Sequence, residues 1–336
     1  MTELKKPFLL KPTGKDYLWG GNRLNDEFGK NIEMSPLAET WECSTHPDGP
    51  SVIVNGEFSG MTLTEALRQH PEFLGTHSGT HPGFKGDLPI LIKLIDAKKD
   101  LSIQVHPTDR YAAEKENGQL GKTEMWYVLD ASKDARIIYG LNHTIDRATF
   151  ETALSEGTVE KYLQKIRIHK DELYFIEAGT IHAIGAGTLV AEIQENSNLT
   201  YRLYDYDRVD KNGNKRELHI EKALDVARLQ SMAEPRQPLR VLRYQPGSAR
   251  ELLCRCEYFE VYRMVINTEK REQVIFRADS VSFRVLLCLN GCGSLSFPDG
   301  VSLTQMEVYK GDCIFVPADS EEITMKGQMQ FLDVRG

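Results

Sequence analysis

Short runs of β-branched and aromatic residues, each closed by Gly, Pro, Asn or Asp, limit most strongly what this chain can fold into. Residues 51–55, 89–96, 102–105, 124–130, 135–139, 173–176 and 189–193 all read as strands. Helical patterns are few and short: 62–69, with Thr62 or Thr64 as a cap, then 109–117, 146–156 with 158–163 following, and 221–229. No strand–helix–strand rhythm runs along the chain, so a doubly wound parallel sheet is disfavoured. Many short strands at close spacing predict a mainly β protein, a sandwich or barrel.

At 336 residues the chain is long enough for two or three compact units. A weak internal repeat suggests where they lie. Lys170-Asp-Glu-Leu-Tyr-Phe-Ile-Glu-Ala-Gly-Thr-Ile-His-Ala can be laid over Lys310-Gly-Asp-Cys-Ile-Phe-Val-Pro-Ala-Asp-Ser-Glu-Glu-Ile, each a turn, an apolar strand and a small-residue turn. A strand pair lies upstream of both. Two related β-barrels are therefore expected, residues 1–232 and 240–336, joined by the polar, Pro-bearing stretch Ala233-Glu-Pro-Arg-Gln-Pro-Leu. The repeat is unequal in chemistry: His182 falls opposite Glu322, and Glu124 roughly opposite Arg284. The second barrel is thus expected to lack a metal set and to act as support or interface.

A net charge of −8 argues against unspecific nucleic-acid binding, which needs basic patches, but leaves room for a few Arg and Lys gathered around a phosphate. No apolar run approaches a membrane span, and the first residues lack the apolar stretch of a signal peptide. Six cysteines without a CxxC pair predict free thiols in a reducing cytoplasm rather than a zinc–thiolate cluster.

Four segments could carry chemistry. In Ser102-Ile-Gln-Val-His-Pro, alternate side chains share a strand face, so Ser102, Gln104 and His106 point one way and Ile103 and Val105 the other. Water, polar partners or a metal could satisfy that face. Lys122 and Glu124 likewise share a face above Trp126 and Val128; a carboxylate entering an apolar strand needs a cation or a surface position. His182 sits among small residues that allow a tight turn and close backbone approach. Further on, Glu192 and Gln194 share a strand face, and Thr200, Arg202 and Tyr204 share the next. Arg202 is either a ligand's anion partner or a surface residue with a buried stem. Imidazole and carboxylate donors together suit zinc, iron, manganese or cobalt.

Taken in order, Leu101-Ser-Ile-Gln-Val-His-Pro, Gly121-Lys-Thr-Glu-Met-Trp-Tyr, Ala178-Gly-Thr-Ile-His-Ala and the stretch from Gln194 to Arg208 resemble type I phosphomannose isomerases of the short bacterial form. The match covers about residues 8 to 230. The resemblance implies two cupin-type (jelly-roll) barrels, and one zinc per chain bound by Gln104, His106, Glu124 and His182. It also implies a phosphosugar substrate met by Ser102, Lys122 and Arg202, with Arg202 at the catalytic position. Some longer relatives carry an acidic residue shortly before that arginine where this chain has Asn198, so Glu192 becomes the carboxylate candidate for proton transfer and Lys122 its rival. Exchange of mannose 6-phosphate and fructose 6-phosphate would pass through an enediolate. Two other readings fit the His and Glu donors: an Fe(II) cupin oxygenase and a non-catalytic sugar-phosphate-binding cupin.

Overall fold

The computed structural model describes residues 5–78, 86–209, 212–270, 272–300 and 302–336. Strands dominate it, as the sequence pattern predicts, and they pair antiparallel in three sheets. A six-stranded sheet runs in the order Leu173–Ile176, Glu124–Ala131, Thr188–Glu195, Ile90–Ala97, Glu39–Cys43, Thr13–Lys15. A five-stranded sheet runs Tyr201–Tyr204, Ile103–Val105, His182–Ile184, Arg136–Leu141, Leu163–Arg167. These two sheets form the N-terminal barrel. Its filling includes Trp19, Ile95, Trp126, Val128, Ile137 and Ile184.

Ile90–Ala97 is buried along its whole length, because it is paired on both edges and covered on both faces. That explains an apolar run interrupted by only two charged residues, Lys93 and Asp96. The other face of the five-stranded sheet, carrying Ile103, Val105 and Ala183, packs against Phe150, Ala153, Ala223 and Leu224 of the helices Arg147–Ser155 and Ile220–Val226.

Three of the predicted short helices form on side-chain caps, and the fourth, Ile220–Val226, follows His219 without one. Thr62 caps Leu63–Gln69 in a complete capping box with Glu65, Thr108 caps Asp109–Lys115, and Asp146 caps Arg147–Ser155. A further helix, Arg23–Phe28, has no side-chain cap and ends on Gly29 in the left-handed conformation.

The third sheet has ten strands and builds the second barrel. Its C-terminal strands include Ser248–Arg255, Glu260–Asn267, Arg284–Asp299, Cys313–Val316 and Ile323–Arg335. Two early strands join it: Phe8–Lys11 pairs with Cys313–Val316, and Val52–Ile53 extends the edge beyond Phe8–Lys11. Apolar residues from both parts of the chain, among them Phe8, Ile92, Tyr127, Leu287 and Phe315, make one shared cluster. All six cysteines are free thiols. Among the described residues no helix is long and apolar enough to cross a membrane.

Candidate active site and metal centre

The polar residues inside the N-terminal barrel come from both of its sheets. Gln104, His106, His182 and Arg202 stand on or beside the five-stranded sheet; Lys93, Lys122, Glu124 and Glu192 on or beside the six-stranded one. Register fixes their company. Gln104 lies across from His182 on one side and Arg202 on the other. Glu192 lies across from Lys93 and Trp126, and Gln194 across from Glu124. Strand alternation acts as expected: with Ile103 and Val105 in the outer apolar cluster, Ser102 and Gln104 line the inner cavity and His106 joins the metal-ligand set.

His106, Glu124 and His182 converge, with their donor atoms within 4.8 Å of one another. His106 Nε2 is 3.5 Å from Glu124 Oε2, and His182 Nε2 is 3.6 Å from Glu124 Oε1. All three are sealed from solvent. His106 Nε2 and Glu124 Oε1 have no hydrogen-bond partner, while Glu124 Oε2 is met by the Lys122 ammonium. Buried polar atoms left so are costly, and a divalent cation would satisfy His106 Nε2 and Glu124 Oε1 at once. His182 Nδ1 lies 2.8 Å from the Thr180 carbonyl oxygen. A carbonyl only accepts, so Nδ1 carries the hydrogen and Nε2 turns a lone pair into the cluster. Gln104 Nε2 is 3.3 Å from that same Nε2. Half a turn of the amide would present its carbonyl oxygen there instead. No second cluster of this kind occurs among the described residues.

Burial pushes His182 down to about 4, and burial with the charge of Lys122 pushes His106 well below the usual histidine range. Both rings are therefore neutral near pH 7, the form that binds a metal. Burial and repulsion from Glu192 push Glu124 up, against the pull of Lys122. For Glu192 burial is outweighed by Lys122 and Lys93, which hold its carboxyl low and ionised.

These groups form a buried line of alternating charge. Glu39 and Lys93 are 3.9 Å apart, Lys93 and Glu192 3.0 Å, Glu192 and Lys122 3.8 Å, Lys122 and Glu124 2.9 Å. Trp126 Nε1 donates to Glu192 Oε2 at 3.0 Å, and Trp41 Nε1 to Glu39 Oε2 at 2.9 Å. Lys93 and Glu39 did not stand out in the sequence, although a lysine in the middle of Pro89-Ile-Leu-Ile-Lys-Leu-Ile was a signal.

Beside the triad lies a cavity of about 250 Å³, lined by Tyr17, Lys93, Ser102, Lys122, Arg202 and Arg216 among others. Arg202 Nε donates to Ser102 Oγ at 3.2 Å and Nη1 to the Glu217 carbonyl at 2.8 Å. It forms no ion pair with a carboxylate among the described residues. Burial and the neighbouring Arg216 both press its pKa down. Arg216, in contrast, is paired with Asp205, which also holds Arg208. An anion entering the cavity would meet Arg202 uncompensated. Asn198 also lines it and donates to Asp48 Oδ2 at 2.8 Å.

The fold and site define a cupin-type protein with a candidate metal centre opening on a cation-lined cavity. The model of the phosphomannose isomerase type I catalytic domain matches residues 8–135. Mannose-6-phosphate isomerase ManA of Bacillus subtilis is 42% identical over 229 residues, covering 68% of this chain and 70% of its own. The mannose-6-phosphate isomerase of Streptococcus mutans is 33% identical over 329 residues, 98% of each chain. The crystal structure of a Bacillus subtilis mannose 6-phosphate isomerase aligns with a TM-score of 0.87 at 36% identity, over 98% of this chain and 99% of that one. The chain belongs to the type I phosphomannose isomerase family of enzymes.

Proposed function

We propose that this enzyme interconverts mannose 6-phosphate and fructose 6-phosphate, with one zinc ion held by His106, Glu124 and His182 and completed by Gln104. The observation that carries the reading is a buried, convergent His–Glu–His set with neutral rings, next to a cavity whose arginine has no ion-pair partner among the described residues. The relatives named above support the substrate by what they act on. An Fe(II) oxygenase would have no use for Lys122 and Arg202 at its metal.

When bound, the ion supplies Lewis-acid stabilisation for negative charge developing on the sugar oxygens. The remaining steps fall to the chain's own residues. Ser102 and Arg202 take the phosphorylated substrate, the guanidinium giving fixed N–H donors already oriented by Ser102 and the Glu217 carbonyl. Glu192 moves the proton between C2 and C1 of the sugar through an enediolate, its carboxylate oriented by Lys93 and Trp126. Lys122 stands between Glu124 and Glu192 and supplies a cation for both, so it binds substrate and neutralises charge rather than acting as the base. Residues 1–232 would carry the chemistry and residues 240–336 support it, in a cytoplasmic protein with reduced thiols.

The test is turnover of mannose 6-phosphate to fructose 6-phosphate in a coupled assay, before and after chelation and zinc readdition. Loss on chelation and recovery with zinc is expected, with metal content falling in a His106→Ala/His182→Ala double variant. No turnover in the metal-replete protein would overturn the activity, and unchanged zinc stoichiometry in the double variant would overturn the ligand set.

A further inference from the structure

The second barrel has its own cavity, about 600 Å³, close to the size that holds a small organic ligand. Its wall is cationic and apolar together: Arg250, Leu252, Tyr262, Met264, Ile275 and Phe276. Register places Arg250, Leu252, Tyr262 and Met264 on one face, with Phe276 packed beside them and the half-exposed Ile275 at the cavity edge. Arg250 pairs across from Met264, Leu252 across from Tyr262, and Tyr262 across from Asp333 on its other side. Met264 belongs to the apolar filling of this barrel.

Where the first barrel places Glu124, the internal repeat places Arg284. Arg284 grips the fully buried Asp333 with two bonds, Nε to Oδ1 at 2.7 Å and Nη2 to Oδ2. Arg250 Nη2 lies 3.0 Å from the same Oδ2. One carboxylate therefore serves two guanidiniums, leaving an excess positive charge in the barrel mouth. The Arg250 guanidinium lies 3.6 Å from the centre of the Tyr262 ring, which fixes its plane. Its Nη1 has no acceptor among the described residues, and 39% of the side chain stays exposed. Burial works most strongly against the Arg250 charge; Asp333 supports it and Arg284 repels it. Arg243, on the rim, has no ion pair among the described residues. The position opposite Glu124 is thus cationic, and the apolar walls beside it favour an organic ion over a bare inorganic one.

We propose that this cavity binds a small organic anion, a carboxylate or phosphate head on an aromatic or aliphatic body, with the head on Arg250 and the body against Leu252, Ile275 and Phe276. The probe is 1-anilinonaphthalene-8-sulfonate, an aromatic anion, titrated by fluorescence into full-length zinc-loaded protein. Saturable binding of one dye per chain is expected, at least tenfold weaker in Arg250→Gln and in Ile275→Glu. The second variant changes a half-exposed residue and decides the matter should the first unfold. Neutral N-phenyl-1-naphthylamine should bind at least tenfold more weakly than the sulfonate. Phenyl phosphate and benzoate are the competitors, and the one displacing the dye at lower concentration identifies the head group. Displacement by neither, displacement by mannose 6-phosphate, or equal dye affinity in wild type and Ile275→Glu would each overturn the assignment.

Discussion

Glu195→Gln should change how the stability of this protein depends on pH. Glu195 closes the strand Thr188–Glu195 and is 2% exposed. Its Oε1 accepts the Thr123 backbone N–H at 2.6 Å, and its carboxyl hydrogen-bonds Asp109. Asp109 already accepts the Gly121 N–H at 2.8 Å and the Tyr258 hydroxyl at 3.1 Å. The proton between the two carboxyls therefore resides on Glu195. Burial, then the charge of Asp109, push Glu195 up to about 9 from an ordinary 4.5. Between those values the folded protein holds a proton that the unfolded chain has released. Unfolding then liberates one proton, so stability is full below about pH 4.5 and falls as pH rises toward 9. The slope for one proton is about 1.4 kcal/mol per pH unit, or roughly 3 kcal/mol from pH 6 to 8. Glutamine keeps the shape, donates to Asp109 and does not titrate. Urea unfolding of both proteins at pH 6, 7 and 8, at fixed zinc, measures the difference. The wild type should lose about that much relative to the variant across the interval. Parallel stability curves would refute the reasoning.

Three further substitutions test the architecture. Lys93→Met removes the nearer cation, 3.0 Å from the buried Glu192, and leaves it only Lys122 at 3.8 Å, so a loss of about 3–5 kcal/mol is expected, with at least tenfold lower kcat; thermal melting and steady-state turnover check it. Thr62→Ala removes the hydroxyl that accepts the Glu65 N–H in the capping box at Leu63–Gln69, leaving the Thr62 N–H to Glu65 bond, and should cost about 1 kcal/mol in a urea midpoint while leaving turnover intact. Gly311→Ala would set a Cβ against the Phe28 carbonyl in a residue with φ of 100°, so a clearly lowered melting temperature is expected, and an unchanged one would contradict the close approach.

The parts of the site readable in the sequence were those set by neighbours along the chain. Strand period alone put Ser102, Gln104 and His106 on one face, and the Lys122–Glu124 pair needed nothing beyond its own strand. Glu39 and Lys93 were hidden because their meaning depends on which strands lie side by side: Lys93 stands between Trp41 and Glu192 only once three strands are assembled. The helix Arg23–Phe28 escaped for a different reason, having six residues and no capping side chain at Asn22. In the second barrel Arg284 could be read as standing roughly opposite Glu124, but its partner Asp333 is 49 residues away and no local pattern joins them.

The pairing of Phe8–Lys11 with Cys313–Val316 joins residues roughly 300 positions apart. On the ribosome, at about 5–20 residues per second, the first strand would wait some 15–60 s for its partner to be made. During that time Phe8, with Phe58 edge-on and Phe73 tilted against it, has no Phe315 to stack on it and close the cluster. The chain that emerges first is thus the last to be finished, and an interrupted synthesis leaves an open sheet edge at its beginning, a surface for chaperones or for misplaced strands.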